Sequence, residues 1–505
     1  MSQPAPSFFA SSRLTLVITL VVLFGLGLGI RLFDLTDLPL DFHPTRQLLS
    51  ALKARGMYYQ SNPGLSDWQR KMAIQQWKTR AEVEPEVFER LVATTYRVTG
   101  VQPWVARIYA SVFWIVGGIF LLLLIRDLVS IDAAIVGSAY FLFLPYAVVA
   151  SRSFQPDPLM VMLTVGFWWL VLRWSRTEKW SWAVLAGAVG GLAIFIKFVS
   201  AFFVIGAAVA CALPLFKRGA LLRKPQAWVM TTLGILPAGA YIFYGVVLHG
   251  FLGRQFGGRF IPALLLSPIN YVQWASMANV AAGGLAIMLG LLGAVVARDR
   301  SVRTFLIGLW AAYLLFGLFF DYHVATHDYY HLPLIAIVAV SLAPLVDAVL
   351  SYLAHATNRP VLRLLALGSL LYGLLGVAWD IRAELKAVDY RPQAAMWAQI
   401  GEVLGHSPNV VALTQDYGSR LAYWGWQNAI IWPNSSDIDY HDVRGGSFKF
   451  PELFSRLTTG NTYFLVTDFA ELDRQPELKA RLMALAIWAQ GDGYTIYDLQ
   501  KPMGQ

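Results

Sequence analysis

The sequence VARIYASVFWIVGGIFLLLLI, residues 105–125, decides the fold class of this 505-residue chain. A helix needs about 20 mostly apolar residues to cross the hydrocarbon core of a bilayer, which is about 30 Å thick. Working outward from this stretch, the hydropathy pattern predicts about 11 such helices. The predicted spans are Leu14–Ile30, Val105–Ile125, Ala133–Ala150, Leu159–Trp174, Ala183–Ile196, Phe198–Phe216, Trp228–Leu248, Val272–Ala297, Thr304–Phe320, Leu332–Leu350 and Leu362–Trp379.

The composition supports a membrane protein and excludes most soluble classes. Hydrophobic residues make up 57% of the chain and charged residues only 14%, whereas a soluble domain has about 25% charged residues. The single cysteine, Cys211, lies in an apolar run, which excludes a disulfide scaffold and a CxxC metal site and predicts a small buried side chain. The sequence therefore predicts a polytopic α-helical membrane protein.

The placement of basic residues predicts the orientation of the spans. Arg13 precedes the first span, and clusters of Lys and Arg then recur in alternate loops. Because short cytoplasmic loops carry an excess of Lys and Arg, these loops and the N terminus are predicted to be cytoplasmic. The formal net charge of +9 is then mostly a topology signal, and no nucleic-acid partner is expected. We expect a retained first span, since no small-residue cleavage site follows it, and residence in the plasma (inner) membrane.

Two regions outside the spans are predicted on the extracytoplasmic side. The first is the loop 33–104, whose segment Trp68–Tyr96 has the spacing of surface-lying helices; it is counted with a transmembrane domain of residues 1–379. The second, residues 380–505, alternates strand-like and helix-like segments and predicts a small α/β C-terminal domain. Its predicted strands are Asn409–Leu413, Ala429–Trp432, Thr462–Thr467 and Tyr494–Tyr497, and its predicted helices are Glu452–Leu457 and Pro476–Trp488.

Acidic, basic and other polar side chains collect in five extracytoplasmic loops, next to the spans. Charged groups near the hydrocarbon core are costly, so their retention predicts pairing or function. The pattern predicts a site at the membrane boundary. The candidate residues are Asp41, His43, Arg46, Arg152, Asp157, Lys197, Arg254, Arg259, His327, Asp328, Tyr329 and Tyr330.

The charged candidates each have a structural alternative. Lys197 interrupts an apolar run and could bind an anionic headgroup, or it could snorkel to the surface at a tight hairpin. Arg152 could clamp a phosphate or pair with Asp157. Asp41 could take a proton from an attacking hydroxyl, or it could be an ordinary loop residue or cap the helix that begins near Pro44. Asp157 could likewise act on a proton, or it could be a helix cap between two prolines.

The histidines and tyrosines are equally open to two interpretations. His323, His327 and His331 recur every four residues, so on one helix they would share a face and could bind a metal, or each could orient a phosphate. Tyr329 and Tyr330 fit either sugar contact or the interfacial aromatic belt. No cofactor is predicted with certainty, and a divalent metal is left open.

The order of these motifs resembles that of the glycosyltransferases of superfamily C, integral-membrane enzymes that include protein O-mannosyltransferases and lipid A aminoarabinose transferases. The resemblance covers Leu14–Trp379. In relatives an acidic pair often occupies the first outer loop, whereas here Phe42 follows Asp41. This departure argues against the metal dependence of some relatives. The motifs that carry the resemblance are Asp41, an arginine followed by Pro-Asp (Arg152 to Asp157), the run GLAIFIK (Gly191 to Lys197) and the run HDYYHLP (His327 to Pro333).

The resemblance implies an inverting glycosyltransferase that moves a hexose or pentose from a polyprenyl-phosphate donor to a hydroxyl acceptor on a lipid, glycan or protein. It implies Asp41 as the catalytic base, with Asp157 orienting Arg152 or the acceptor. The alternative is a transporter or flippase of an anionic lipid-linked sugar, although transporters place ionisable groups near the bilayer midplane and these spans are nearly free of charge. The implied phosphate-binding residues are Lys197, Arg152, Arg254 and Arg259, and the implied substrate-binding residues are His43, Arg46, His327, Asp328, Tyr329 and Tyr330.

Overall fold

A computed structural model describes residues 7–9, 12–62, 64, 66–82, 84–217, 221–253, 259–355, 358–443, 446–447 and 449–503, most of them helical. The α-helices are α1 (Arg13–Arg31), α2 (Pro44–Gln60), α3 (Asp67–Lys78), α4 (Val87–Thr99), α5 (Pro103–Leu128), α6 (Ile131–Phe143), α7 (Pro145–Ala150), α8 (Asp157–Thr177), α9 (Trp180–Ile196), α10 (Ser200–Lys217), α11 (Pro225–Ile242), α12 (Pro268–Ala282), α13 (Gly284–Val296), α14 (Arg300–Phe319), α15 (Asp321–Thr326), α16 (Leu332–Ala354), α17 (Arg359–Leu385), α18 (Arg391–Val403), α19 (Ser419–Trp424), α20 (Ser435–Val443), α21 (Phe450–Thr458), α22 (Phe469–Asp473) and α23 (Pro476–Met483).

Seven helices in the described part of the chain are long and apolar enough to cross a membrane. They are α1, α5, α8, α11 with its π-helical extension Phe243–Leu248, α14, α16 with the turn before it, and α17. An eighth forms if the bent pair α12 and α13 is one span, and α6, α9 and α10 are shorter apolar helices. The predicted polytopic helical fold is confirmed, whereas the predicted count of 11 spans is not.

Two of the predicted spans are broken, each at a residue whose backbone chemistry explains the break. The span predicted at Ala133–Ala150 divides at Leu144, which is extended (φ −56°, ψ 124°) because the following Pro145 disfavours helical geometry in the residue before it. The span predicted at Val272–Ala297 divides at Gly283, where φ is +77°, and α12 and α13 meet there at 92°. Glycine adopts such a left-handed φ readily because it has no Cβ.

Glycines bring several apolar helices into close contact. A Cβ at Gly191 of α9 would lie 2.2 Å from the backbone oxygen of Leu233 in α11, and one at Gly293 of α13 would lie 2.0 Å from that of Ser341 in α16. Small residues at such crossings let backbones approach closely, and van der Waals packing then holds the helices together in lipid. The contact between α9 and α11 fixes the position of Lys197, which directly follows α9.

The C-terminal segment forms a five-stranded sheet with the strand order β2-β1-β3-β5-β4. Its strands are β1 (Val410–Leu413), β2 (Ile430–Ile431), β3 (Tyr463–Val466), β4 (Leu485–Gly491) and β5 (Tyr494–Pro502). β1 is parallel to β2 and β3, and β5 is antiparallel to β3 and β4. The sheet predicted here is confirmed, and the four predicted strands overlap β1, β2, β3 and β5.

Alternate residues of β1 and β3 face two apolar cores on opposite sides of this sheet. Val411 and Phe464 pack into one core, whereas Ala412 and Leu465 pack into the other, which also contains Trp397 of α18. Helices that cover both faces of parallel strands make those strands apolar on both sides. This explains why β1 and β3 appear in the sequence as short unbroken apolar runs.

One predicted element of this region is wrong. The helix predicted at Pro476–Trp488 ends at Met483, and Leu485–Gly491 forms β4 instead. The Gly-Asp-Gly turn, with φ +77° at Gly493, folds β4 back onto β5. Such a turn between two apolar runs is a hairpin signal, and it outweighs the helix-like spacing that precedes it.

By its internal contacts the chain divides into two compact units, which we call the bundle unit and the sheet unit. The bundle unit consists of Met1–Thr36, Ala81–Phe88 and Trp104–Val388, and the sheet unit consists of Asp37–Arg80, Glu89–Pro103 and Asp389–Gln505. The predicted boundary at residue 379 lies close to the boundary after Val388. The first extracytoplasmic loop, which prediction assigned to the transmembrane domain, is divided between the units, with α2 and α3 in the sheet unit.

Candidate functional site

A buried ion pair joins two loops of the bundle unit. Lys197 ends α9 with an extended backbone (φ −154°), and Asp157 is the first residue of α8. Lys197 Nζ lies 2.8 Å from Oδ1 and 3.0 Å from Oδ2 of Asp157, and the two side chains are only 6% and 2% exposed. Lys197 is therefore no snorkelling residue. Within the described residues Asp157 pairs with Lys197, so the alternative in which it pairs with Arg152 is wrong.

Two tyrosine rings cover the Lys197 ammonium group. Tyr329 and Tyr330 lie in the 3₁₀ helix Asp328–His331, and the centroid of each ring is 5.2 Å from Lys197 Nζ. Cation–π attraction at this distance stabilises the charged lysine in addition to its carboxylate partner. Both tyrosines are buried, so they are not part of an exposed aromatic belt at the membrane interface.

Tyr146 of α7 extends this group, and the analysis of the sequence missed it. Its side chain lies beside both Asp157 and Asp328. The signal for it was Pro145, because a proline inside a predicted span marks a break where polar groups can gather. We call Tyr146, Asp157, Lys197, Asp328, Tyr329 and Tyr330 the lysine cluster.

His331 anchors the 3₁₀ helix that carries the two tyrosines. Its Nε2 lies 2.8 Å from the carbonyl oxygen of Val324, and its Nδ1 lies 2.7 Å from the hydroxyl of Tyr313. That hydroxyl in turn accepts a hydrogen bond from Trp274 Nε1 at 2.9 Å. Because a carbonyl only accepts, Nε2 must carry the hydrogen, and Nδ1 of the neutral ring accepts from the tyrosine. His331 therefore has a positioning role.

A second group of cations adjoins the lysine cluster around His323. Burial, together with the nearby charges of Arg259, His327 and Lys197, lowers the pKa of His323 to about 3. The ring centroids of His323 and His327 lie 5.8 Å apart. The imidazole of His323 is thus neutral near pH 7. Arg254, also predicted to bind phosphate, lies outside the described residues.

The three histidines at four-residue spacing do not share a helix face. His323 lies in α15, His327 is extended and His331 ends the 3₁₀ helix. In the part of the chain that the structure describes, no group of three or more His, Cys, Asp or Glu side chains could hold a metal ion. The spacing therefore does not mark a histidine metal site among these residues.

Three buried arginines converge at the ends of the first helices of the bundle unit. Arg152 Nη2 and Arg107 Nη1 point to the backbone carbonyl of Asp34, at 3.2 and 3.4 Å. Arg31 Nε donates a hydrogen bond to Ser151 Oγ at 2.7 Å. Arg31 also lies close enough to Arg152 for their two positive charges to repel. All three side chains are 2% exposed or less. The Asp34 carboxylate, itself 6% exposed, pairs with Lys386 at 3.0 Å.

Arg31 and Arg107 were missed by the analysis of the sequence, although a signal existed. Arg31 directly follows the predicted span Leu14–Ile30, and Arg107 lies inside Val105–Ile125. Each is a lone cation at the predicted extracytoplasmic end of a span, where positive charge is disfavoured. The same argument selected Lys197, and it applies equally to these two residues.

Asp41, His43 and Arg46 lie in the sheet unit, around the start of α2. Gln47 Nε2 donates to Asp41 Oδ1 at 3.3 Å and to the carbonyl of Phe42 at 2.6 Å. The N-cap of α2 is His43, in a left-handed conformation (φ +43°). The alternative in which Asp41 caps this helix is therefore wrong. Instead, the side-chain amide of Gln47 in α2 donates to the Asp41 carboxylate.

Comparison with known proteins gives matches in sequence and in fold. The family model of dolichyl-phosphate-mannose-protein mannosyltransferases matches residues 83–244. The crystal structure of ArnT from Cupriavidus metallidurans bound to undecaprenyl phosphate matches with a TM-score of 0.58 at 14% identity, over 95% of this chain and 97% of that one. The apo structure of ArnT gives the same TM-score at 13% identity, over 95% and 98% of the two chains.

An archaeal protein has a similar fold. The oligosaccharyltransferase AglB from Archaeoglobus fulgidus, solved with an inhibitory peptide and a dolichol-phosphate, matches with a TM-score of 0.52 at 12% identity, over 97% of this chain and 75% of that one. No curated protein sequence matches. The predicted resemblance is confirmed, and the chain has a fold similar to those of ArnT and AglB.

Proposed function

We propose that this protein is a membrane glycosyltransferase that moves a sugar from a polyprenyl-phosphate donor to a hydroxyl acceptor. The observation that carries the proposal is the Lys197 ammonium group, buried against Asp157 beneath two tyrosine rings. The fold supports it, because ArnT and AglB, solved with undecaprenyl phosphate and with a dolichol-phosphate, are similar structures. A polyprenyl chain can remain in lipid while its phosphate meets fixed cations at the boundary.

The cations act on the leaving group. The bond between the anomeric carbon and the phosphate oxygen breaks, and the phosphate gains negative charge. An ammonium group has three N–H donors; the two Asp157 oxygens account for two of those of Lys197, so the third can reach a phosphate oxygen. Arg152 and Arg259, with Arg254 as a further candidate, add positive charge. A donor held in place before the reaction stabilises developing charge by about 3 kcal/mol in well-studied hydrolases.

Asp41 acts on the acceptor. Its carboxylate takes the proton of the acceptor hydroxyl while the hydroxyl oxygen bonds to the anomeric carbon. Attack opposite the phosphate inverts the anomeric configuration. Asp157 orients Lys197 and is a positioning residue. The remaining residues proposed for substrate binding are His43, Arg46, His327, Asp328, Tyr329 and Tyr330.

We place the reaction on the extracytoplasmic side of the plasma (inner) membrane, with the N terminus in the cytoplasm. The support is the recurrence of Lys and Arg in alternate loops, which is typical of cytoplasmic loops. The proposed site residues then share the opposite side.

A transporter of an anionic lipid-linked sugar is the alternative, and one feature favours it. Transporters often place substrates at broken helices, and α12 and α13 meet at 92°. However, other groups of the protein form hydrogen bonds with the backbone groups that this break leaves free. Asn279 Oδ1 accepts from the backbone N–H of Gly284 at 2.8 Å, and the Tyr140 hydroxyl donates to the carbonyl of Ala282 at 2.6 Å. The break is therefore explained as a structural bend.

The test is an assay of purified protein with a panel of polyprenyl-phosphate sugars and candidate acceptors. We expect release of polyprenyl phosphate with at least one sugar, and loss of that release in the Asp41→Asn variant. Transport is measured separately, with the protein reconstituted into lipid vesicles. Movement of intact donor across the bilayer, without release of polyprenyl phosphate from any sugar, would overturn the proposal in favour of transport.

A further inference from the structure

A polar cavity of about 270 Å³ lies within the sheet unit. It is formed by the end of α3 and by the segments that follow β1 and lead into β2. Polar groups contribute most of its lining, in contrast to the apolar cores on either face of the sheet. The residues that line it are Gln75, Thr79, Arg80, Tyr417, Gly418, Ala422, Gln427, Asn428, Ala429 and Ile431.

Arg80 gives this cavity a positive charge. Among the residues that the structure describes, no carboxylate or hydrogen-bond acceptor pairs with its side chain. Burial lowers the pKa of the Arg80 guanidinium, but arginine stays charged at any physiological pH. Arg80 is partly buried, and a charge that has lost part of its water and has no counter-ion is stabilised by an anion placed beside it. The cavity therefore favours a ligand that carries a negative charge.

Gln427 forms a fixed part of the cavity wall. Its side chain is 1% exposed, and its Nε2 donates to the carbonyls of Ser407 and Asn428, each at 2.5 Å. These two carbonyls fix the orientation of the amide, because only the nitrogen can donate. Its Oε1 is buried and has no hydrogen-bond partner among the described residues. Buried polar atoms are usually satisfied, but this oxygen has almost no accessible surface, so it belongs to the wall of the cavity and does not face its interior.

The turn beside the cavity holds a strained backbone. Asp416, Tyr417 and Gly418 are consecutive left-handed residues, with φ values of +53°, +52° and +71°. Non-glycine residues rarely adopt this conformation, and such strain concentrates at ligand sites. The hydroxyl of Tyr417 donates to Asp437 Oδ1 at 3.0 Å, so the hydroxyl is fixed while the side chain lines the cavity.

We propose that this cavity binds a single anionic sugar, with a carboxylate or phosphate on Arg80 and hydroxyl groups on the amides of Gln75 and Asn428. Its volume lies just below the range of about 300–1,000 Å³ that is usual for ligand pockets, which suits one ring and not an oligosaccharide. The inference does not depend on glycosyl transfer, because binding is measured without any lipid donor.

Calorimetric titration of the full-length protein in detergent tests the proposal. The probes are glucuronate, glucose 6-phosphate and glucose, which share a ring and differ in charge. We expect at least one anion to bind and glucose to bind about tenfold more weakly or worse, because hydrogen bonds to a charged group are the stronger ones. The tighter anion identifies carboxylate or phosphate as the recognised group. Equal binding of all three, or binding of none, overturns the proposal.

Matched variants assign the binding to the cavity. Arg80→Gln removes the cation, and Asn428→Asp places a repelling carboxylate in the cavity with almost no change of shape; each should weaken anion binding about tenfold or more. Arg70→Gln is the control, because Arg70 is 39% exposed and pairs with Asp67 on the surface of the same helix. Anion binding unchanged in both cavity variants overturns the assignment. Loss of glycosyl transfer with anion binding intact counts only against the proposed function.

Discussion

The buried pair of Lys197 and Asp157 gives the sharpest test of the site. Substituting Asp157→Asn leaves the Lys197 charge without its carboxylate in a place where the lysine side chain is 6% exposed. Two charge-assisted hydrogen bonds, of 2.8 and 3.0 Å, are weakened to contacts with a neutral amide. Removing one partner of a buried pair costs about 3–5 kcal/mol of stability.

A double-mutant cycle separates this effect from general damage to the core. Lys197→Met leaves Asp157 unpaired, and the double variant Asp157→Asn with Lys197→Met removes both charges. We expect the double variant to be more stable than the sum of the single effects predicts, by up to about 3 kcal/mol. Reversible unfolding in detergent, followed by the fluorescence of buried tryptophans, measures each free energy of unfolding.

Binding of polyprenyl phosphate to the same variants tests the functional role. Asp157→Asn keeps the cation and removes its competitor, so affinity for the phosphate should be maintained or increased. Lys197→Met removes the cation, so affinity should fall about tenfold or more, as for other hydrogen bonds to charged groups. Additive stability effects together with equal loss of binding in both single variants would refute this account of the pair.

Three further predictions concern other parts of the chain. Asp41→Asn should abolish sugar transfer and leave polyprenyl-phosphate binding unchanged; turnover near that of the wild type would reject Asp41 as the base. Gly191→Ala should lower the unfolding temperature, since its Cβ would lie 2.2 Å from the Leu233 carbonyl oxygen, whereas Gly25→Ala, with nothing within 4 Å, should not. For His323 the folded pKa of about 3 lies below the unfolded 6.5, so the unfolded state binds the proton first and stability falls as pH falls from 6.5 toward 3. Between pH 6.5 and 3, the free energy of unfolding of the His323→Asn variant should therefore fall by about 1.4 kcal/mol less per pH unit than that of the wild type. Unfolding measured at several pH values across this range checks the prediction.

All residues of the lysine cluster except Tyr146 could be selected from the sequence, but their pairing could not. Lys197 stood out because it interrupts an apolar run on the side that disfavours cations, and this signal is local. Its partner depends on how α8 and α9 pack. Gly190 of α9 permits their close approach, because a Cβ there would lie 2.7 Å from the ring of Phe167 in α8. The sequence offered Arg152 as the partner of Asp157 because they are neighbours along the chain. In the folded protein, helix packing brings Lys197 next to Asp157 instead.

The errors in the fold have a similar origin. Hydropathy reports the length of an apolar segment and not its continuity, so the breaks at Leu144 and Gly283 passed unnoticed although Pro145 and a glycine marked them. In the C-terminal region, a helix-like spacing extended across Met483 concealed β4. A strand that begins directly after a helix is identified by the turn at its far end, here at Gly493.

The pairing of Lys197 also bears on how such a site could release its product. A lone cation buried at the membrane boundary would be costly and would hold a phosphate tightly. Asp157 offsets that cost when no phosphate is present, and it competes for the same ammonium group when one is. In the proposed reaction the leaving phosphate would gain charge only as the glycosidic bond breaks, so the third N–H of Lys197 would stabilise the transition state more than the bound donor. Afterwards the Asp157 carboxylate would bind the ammonium group again, which would favour departure of the lipid phosphate.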